Sequence, residues 1–182
     1  TRITGVDRSR YLIRLARKRA RDLGHEIEFR EGDARKFRIR DRSFNCVTIM
    51  GNSFGYFDQK ADDEAILASV ARVLSPSGIL FMDVVDGDWL RDHFEPRSWE
   101  WIDQNHFVCR ERSLDGEGER IIAREVIVEA DKGVLVDQFY AERLYSREQI
   151  ADLMERSGYS SVKFHDRIAA ESTRGQDLGM MA

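Results

Sequence analysis

Cysteine is almost missing from this chain: Cys46 and Cys109 are the two in 182 residues, and no CxxC or Cys/His spacing accompanies them. That excludes a disulfide framework and a zinc module, and both thiols, each inside an apolar strand-like run, are expected to be reduced and structural. No apolar run approaches the roughly 20 residues of a membrane span. The N-terminus also lacks the charged-then-apolar layout of a signal peptide, so a soluble, cytoplasmic protein is expected. Lysine is scarce, five residues against 24 arginines, a compositional bias without a functional reading. No segment repeats, and only the Gly/Glu-rich turn at 115–119 is compositionally biased.

What is there suits one globular domain, with 42% hydrophobic residues and a net charge of -4. The charge is unevenly spread: residues 1–42 hold fourteen Arg/Lys against seven Asp/Glu, which leaves the remainder at -11. A nucleic-acid footprint can take this form. Here, however, Arg10, Arg14, Arg17, Lys18 and Arg21 fall on the polar side of an amphipathic helix and need only be solvated.

Ile3 to Val6 reads as a short strand ending at Asp7. Ser9 is placed to cap a helix whose inward positions are Leu12, Ala16, Ala20 and Leu23, and Gly24 stops it. Ile27 to Phe29 is a second strand, ending at Gly32-Asp33. Phe44 to Met50 is a third, apolar enough to be buried on both faces. A helix bearing Ile66, Leu67, Val70, Val73 and Leu74 follows, and Ser75-Pro76-Ser77-Gly78 turns the chain into strand Ile79 to Val85. This alternation predicts a doubly wound parallel α/β sheet. Residues 107–145 differ, with β-branched runs separated by turns at Asp115-Gly116-Glu117-Gly118 and Asp131-Lys132-Gly133, the pattern of an antiparallel meander. Ser146 with Gln149 forms a capping box for a helix ending at Gly158, and strand Ser161 to His165 follows.

Three polar turns follow strands, the position that open α/β folds use for ligands at the carboxyl edge of the sheet. Asp7 is placed to accept two hydrogen bonds from a ribose diol, or to stabilise the dipole of the helix after it. Gly32-Asp33-Ala34 offers a carboxylate for an exocyclic amine and backbone N–H groups for a ring nitrogen. In Met50-Gly51-Asn52-Ser53-Phe54-Gly55-Tyr56 two glycines flank a polar and aromatic turn, which allows close approach of backbone to ligand and puts a ring beside a ligand cation. The alternative is that Phe54, Tyr56 and Phe57 roof the core.

Together with Val73-Leu74-Ser75-Pro76-Ser77-Gly78-Ile79-Leu80, in place of the usual Val-Leu-x-Pro-Gly-Gly, these segments closely resemble class I S-adenosylmethionine-dependent methyltransferases, over about residues 3–165. The resemblance implies a Rossmann-like, mostly parallel sheet: a cofactor-binding core at 1–98 and 146–182, with an inserted antiparallel lid and substrate region at 99–145. It implies S-adenosylmethionine as cofactor and no metal. Asp7, with Arg8 beside it, would bind the ribose, and Asp33 and the Ala34 backbone the adenine. Met50, Gly51 and Asn52 would line the sulfonium and methionine region. The Gly-Asn-Ser-Phe turn and the meander are similar to small-molecule methyltransferases, including N-methyltransferases of amino acids and amino sugars.

Transfer from an activated sulfonium is an in-line displacement that needs little acid–base machinery, since positioning supplies much of the barrier reduction. Asn52, Tyr56 and His106 are the candidates for a base or anchor, and Trp89, Tyr140 and Arg143 for substrate contacts. Phe94, Trp99 and Trp101 join Trp89 in an aromatic cluster that either walls a substrate pocket or packs the meander onto the sheet. The expected partner is a small-molecule methyl acceptor, with no membrane or nucleic acid, and a homodimer through the edge of the meander is a further expectation. Two rival readings are a nicotinamide-dependent dehydrogenase, which also uses an acidic strand end, and an RNA-binding module or inactive remnant.

The chain departs from the family in one respect. No GxGxG occurs in it, and the family's first strand and glycine-rich loop, expected before Thr1, are not in the sequence. In the family that strand lies between those assigned here to Ile3–Val6 and Phe44–Met50, so an interrupted sheet is expected, completed by chain outside this sequence or by a partner, or else belonging to a remnant. Gly175 to Ala182 reads as a connection toward a final antiparallel strand that does not follow.

Overall fold

A computed structural model describes residues 1–165 and, as backbone, Asp177–Met181. The chain runs β1 (Thr4–Asp7), α1 (Arg10–Asp22), β2 (Glu28–Glu31), β3 (Phe44–Ile49), α2 (Lys60–Val73), β4 (Leu74–Val85), α3 (Gly87–His93), β5 (Arg97–Trp101), β6 (His106–Leu114), β7 (Arg120–Glu129), β8 (Gly133–Arg143), α4 (Arg147–Arg156), β9 (Lys163–His165) and β10 (Asp177–Met181). β1 and β2 pair in parallel, β3 and β4 pair in parallel, and the second sheet has the order β3-β4-β10-β9. β5 to β8 form a third, antiparallel sheet in sequential order. No helix among the described residues is long and apolar enough to cross a membrane.

Local chemistry places the helices. Ser9 accepts a hydrogen bond from the Leu12 N–H at the start of α1, and Ser146 and Gln149 complete the capping box of α4. The core forms where α2 and α4 cover the second sheet: Leu67, Leu80, Met82, Leu153 and Met154 are fully buried, each contributing about 1.5–3 kcal/mol of apolar transfer.

Several expectations are corrected. α1 buries Ile13 and Ala20 and leaves Leu12 and Leu23 exposed, because the apolar residues satisfy two adjacent helical faces and only β1 and β2 lie beneath to choose between them. The Ser75–Gly78 turn is absorbed as an irregularity inside one long strand: Phe44 faces Leu74 and Cys46 faces Ile79, so β4 carries the extra residues. The last antiparallel strand does arrive. Asp177–Met181 lies between β4 and β9 and pairs with both; a five-residue run with a central glycine is too weak a strand former to be recognised without those partners. β3 is not buried on both faces, and Cys46 on it is exposed, because the edge of β3 away from β4 has no strand among the described residues. Both cysteines are free thiols.

The interruption expected between the first and third strands is present. β1 and β3 belong to separate sheets, and a cleft of about 390 Å³ lies between them, lined by Ile3, Val6, Phe44, Val47, Ile49 and Val70 among others.

Candidate active site

The ends of β1, β2 and β3 carry the polar turns read from the sequence. Asp7 closes β1, accepts the Ser9 N–H at 2.6 Å through Oδ1, and receives the Gly32 N–H on its backbone carbonyl at 2.9 Å, which ties the first two turns together. Arg8 lies 5.9 Å from the centre of the Phe57 ring. Asp33 is gripped by Arg35 on both carboxylate oxygens, 2.6 Å at the shortest, and this holds its carboxyl down at about 2. Arg35 also bonds Asp62 and lies 4.2 Å over Phe57, so Asp33 is a fixed anion whose acceptor sites are partly occupied. Ala34 lines the cleft between the two parallel sheets.

The turn after β3 is built by two successive left-handed residues, Gly51 (φ 68°) and Asn52 (φ 52°), of which the first needs glycine and the second suits asparagine. The Gly51 N–H donates to Asp83 on β4 at 3.0 Å, Met50 is exposed, and its carbonyl accepts from the Ser53 hydroxyl. Gly55 (φ 90°) passes so close to β8 that an added Cβ would sit 2.9 Å from the Arg143 carbonyl.

Asn52 is the junction of the site. Its Oδ1 accepts the Val85 N–H at the end of β4, at 2.9 Å, and its Nδ2 donates to Glu142 on β8 at 2.6 Å. The Tyr56 hydroxyl donates to the other oxygen of Glu142 at 3.3 Å. Glu142 is 6% exposed, and burial pushes its carboxyl up to about 7, although the Asn52 and Tyr56 bonds pull the other way. Burial also raises the Tyr56 and Tyr140 hydroxyls, and the two rings lie 5.9 Å apart.

These groups open into a cleft of about 750 Å³ between the carboxyl edge of β3–β4 and the inner face of the antiparallel sheet. Trp89, stacked on His93 at 4.5 Å, and Phe94 form one wall, and Tyr140, Arg110 and Arg112 lie on the sheet side. Arg110 is paired with Glu100 and Glu125, whereas Arg112 donates to neutral acceptors, Ser98 Oγ at 3.0 Å and the Glu95 carbonyl at 3.2 Å.

Of the residues expected to touch substrate or do chemistry, Asn52, Tyr56, Trp89 and Tyr140 meet in this cleft, and two do not. His106 is at the start of β6, held by Asp103 at 2.9 Å with Glu129 at 3.8 Å, where it closes the turn after β5. Arg143 points to the opposite side of β8 from Tyr140, is 8% exposed, and pairs with the fully buried Asp63 of α2. The sequence reading passed over Glu142. The signal was available: strand side chains alternate, so residue 142 shares a face with Tyr140 and residue 143 cannot.

Residues 1–78 match the sequence model of a methyltransferase domain. A cypemycin N-terminal methyltransferase from a Streptomyces species is 28% identical over 124 residues, which is 67% of this chain but only 49% of that relative, so the chain spans about half its length. In fold, a S-adenosylmethionine-dependent methyltransferase from Clostridium acetobutylicum superposes with a TM-score of 0.80 at 15% identity, over 100% of this chain and 74% of the other. An amino pentose methyltransferase from Micromonospora echinaspora, solved with S-adenosylmethionine bound, gives 0.69 at 19% identity, over 99% and 73%. The N-terminal segment thus matches a methyltransferase domain in sequence, and the chain shares the fold of S-adenosylmethionine-dependent methyltransferases.

Proposed function

We propose that the protein transfers a methyl group from S-adenosylmethionine to a nitrogen or oxygen of a small metabolite. The observation that carries this reading is the adjacency of two surfaces: the Asp7, Asp33 and Gly51 turns on one side, and the 750 Å³ cleft holding Asn52, Tyr56 and Glu142 on the other. The first surface fits the cofactor in specific respects. Asp7 is exposed and spends one oxygen on Ser9, leaving the other for a ribose hydroxyl. A Cβ at Gly51 would meet nothing within 4 Å, so space lies open over that turn. Asp33 fits less freely, because Arg35 already holds both oxygens, which leaves the Ala34 backbone as the more available adenine contact.

When bound, S-adenosylmethionine supplies an activated methyl group on sulfur. The chain's own task is to hold the acceptor in line and to keep water out. Asn52 fixes the end of β4 against β8, Trp89 and Tyr140 wall the acceptor, and the antiparallel sheet closes over it. The names of two relatives, a cypemycin N-terminal methyltransferase and an amino pentose methyltransferase, support an acceptor that carries an amino group. The RNA reading has less support, since Arg10 on α1 is paired with Glu31 and Lys18 with Asp22.

Asp7→Ala is expected to weaken S-adenosylmethionine binding roughly tenfold to a hundredfold, as loss of a charged acceptor does. Calorimetric titration of both forms, with circular dichroism to check the fold, makes the test. Equal affinity would remove Asp7 from the cofactor site, and tight NADH binding in its place would favour a dehydrogenase.

A further inference from the structure

We propose that Glu142 is the residue that receives the methyl acceptor, and that the acceptor is an amine whose ammonium form binds to this carboxylate and gives it a proton. This rests on the methyl-transfer reading and narrows it from nitrogen or oxygen to nitrogen.

The geometry comes first. Glu142 is 6% exposed yet lines the cleft, and among the described residues each of its oxygens accepts one bond from a neutral donor, Asn52 Nδ2 at 2.6 Å and the Tyr56 hydroxyl at 3.3 Å. A carboxylate has about four acceptor positions, so capacity remains toward the cleft. Among the described residues no cation is bonded to it: the arginine next to it in sequence turns to Asp63, and Arg110 is occupied by Glu100 and Glu125. An anion buried and left without a counter-charge is costly, and a cationic ligand offsets that cost. The aromatic walls, Trp89 and Tyr140, suit the same ligand, since ring faces attract cations.

The chemistry separates nitrogen from oxygen. Burial places Glu142 at about 7. Taking a proton from an alkylammonium of about 10 is uphill by about three powers of ten, whereas taking one from an alcohol near the 15.7 of water is uphill by roughly nine. In the amine case the proton moves from the ammonium nitrogen to a Glu142 oxygen. The freed lone pair forms the new N–C bond as the C–S bond breaks, and its electron pair stays on sulfur, so the sulfonium charge ends on the N-methylated product. Asn52 and Tyr56 are positioning residues for Glu142.

The test needs no cofactor. Benzylamine and benzyl alcohol, similar in size and differing in charge, are titrated into the chain and into Glu142→Gln, which preserves shape and can still bond Asn52 and Tyr56. Benzylamine is expected to bind the unaltered chain at least tenfold more tightly than benzyl alcohol, and Glu142→Gln to remove that preference while leaving the weaker alcohol binding unchanged. Glu142→Asp is expected to restore part of it. Equal binding of both probes, binding of neither, or a preference that survives Glu142→Gln would each overturn the proposal. A parallel titration with S-adenosylmethionine keeps the two readings apart: amine preference without cofactor binding would leave the amine site standing and remove methyl transfer, and the reverse would leave methyl transfer without this acceptor site.

Discussion

Arg143→Met is expected to lower the stability of the protein by about 3–5 kcal/mol, the usual cost of stranding one member of a buried ion pair. Asp63 is fully buried on α2. Its Oδ2 accepts from the Arg143 guanidinium and, at 2.7 Å, from the Tyr145 hydroxyl, while its Oδ1 has no partner among the described residues. Burial pushes the Asp63 carboxyl up, and the Tyr145 and Arg143 contacts hold it down, so removal of the arginine leaves the unfavourable contribution dominant. Arg143 also donates to the Asp58 carbonyl at 2.9 Å, so it fastens the loop that carries Asn52 and Tyr56 to the end of β8. The double variant Asp63→Leu/Arg143→Met should recover half or more of the loss, because an apolar pair of similar size is often as stable as the buried ions. Urea unfolding of the single and double variants is the check. A single-variant loss below about 1 kcal/mol would mean that the pair is not buried as described.

The second large effect is one of pH. The Glu142 carboxyl lies at about 7 in the folded chain against 4.5 for the free group, so between those values the folded state binds the proton that the unfolded state has released. Stability therefore falls as pH rises from about 4.5 to 7, by about 3 kcal/mol from this residue, and stays level above that. Glu142→Gln has no proton to lose there. The difference in unfolding free energy between the two proteins, measured at pH 5 and pH 8, should change by roughly that amount in favour of the glutamine form at pH 8. A constant difference would show that Glu142 ionises normally and is not desolvated.

The doubly wound order, the capping box and the hairpin turns were legible in the sequence because each depends on residues close together in the chain. Ser146 and Gln149 sit on one helical turn, and Asp131-Lys132-Gly133 makes a hairpin with Gly133 at φ 83°. The polar turns at the ends of β1, β2 and β3 were legible for the same reason. What escaped the reading depends on partners far away: β10 exists because β4 and β9 bond it on both sides, and the choice of Ile13 over Leu12 on α1 depends on the strands beneath. The cleft around Asn52 and Glu142 is of this second kind. Asn52 and Glu142 are 90 residues apart and meet only after β8 has been laid across the sheet edge. Arg143 was a plausible anchor by residue type alone; strand alternation with Tyr140 assigns it instead to the buried side, and Glu142 to the cleft.

The central claim is that the carboxyl edge of the parallel strands receives the cofactor beside an acceptor cleft. Its most direct test is an amide-resolved NMR titration of the chain with S-adenosylhomocysteine. The expected result is a set of shifts at Asp7 and Arg8, at Gly32 to Ala34 and at Met50 to Asn52, saturating together. Shifts elsewhere with these turns unmoved, or none at millimolar ligand, would contradict it.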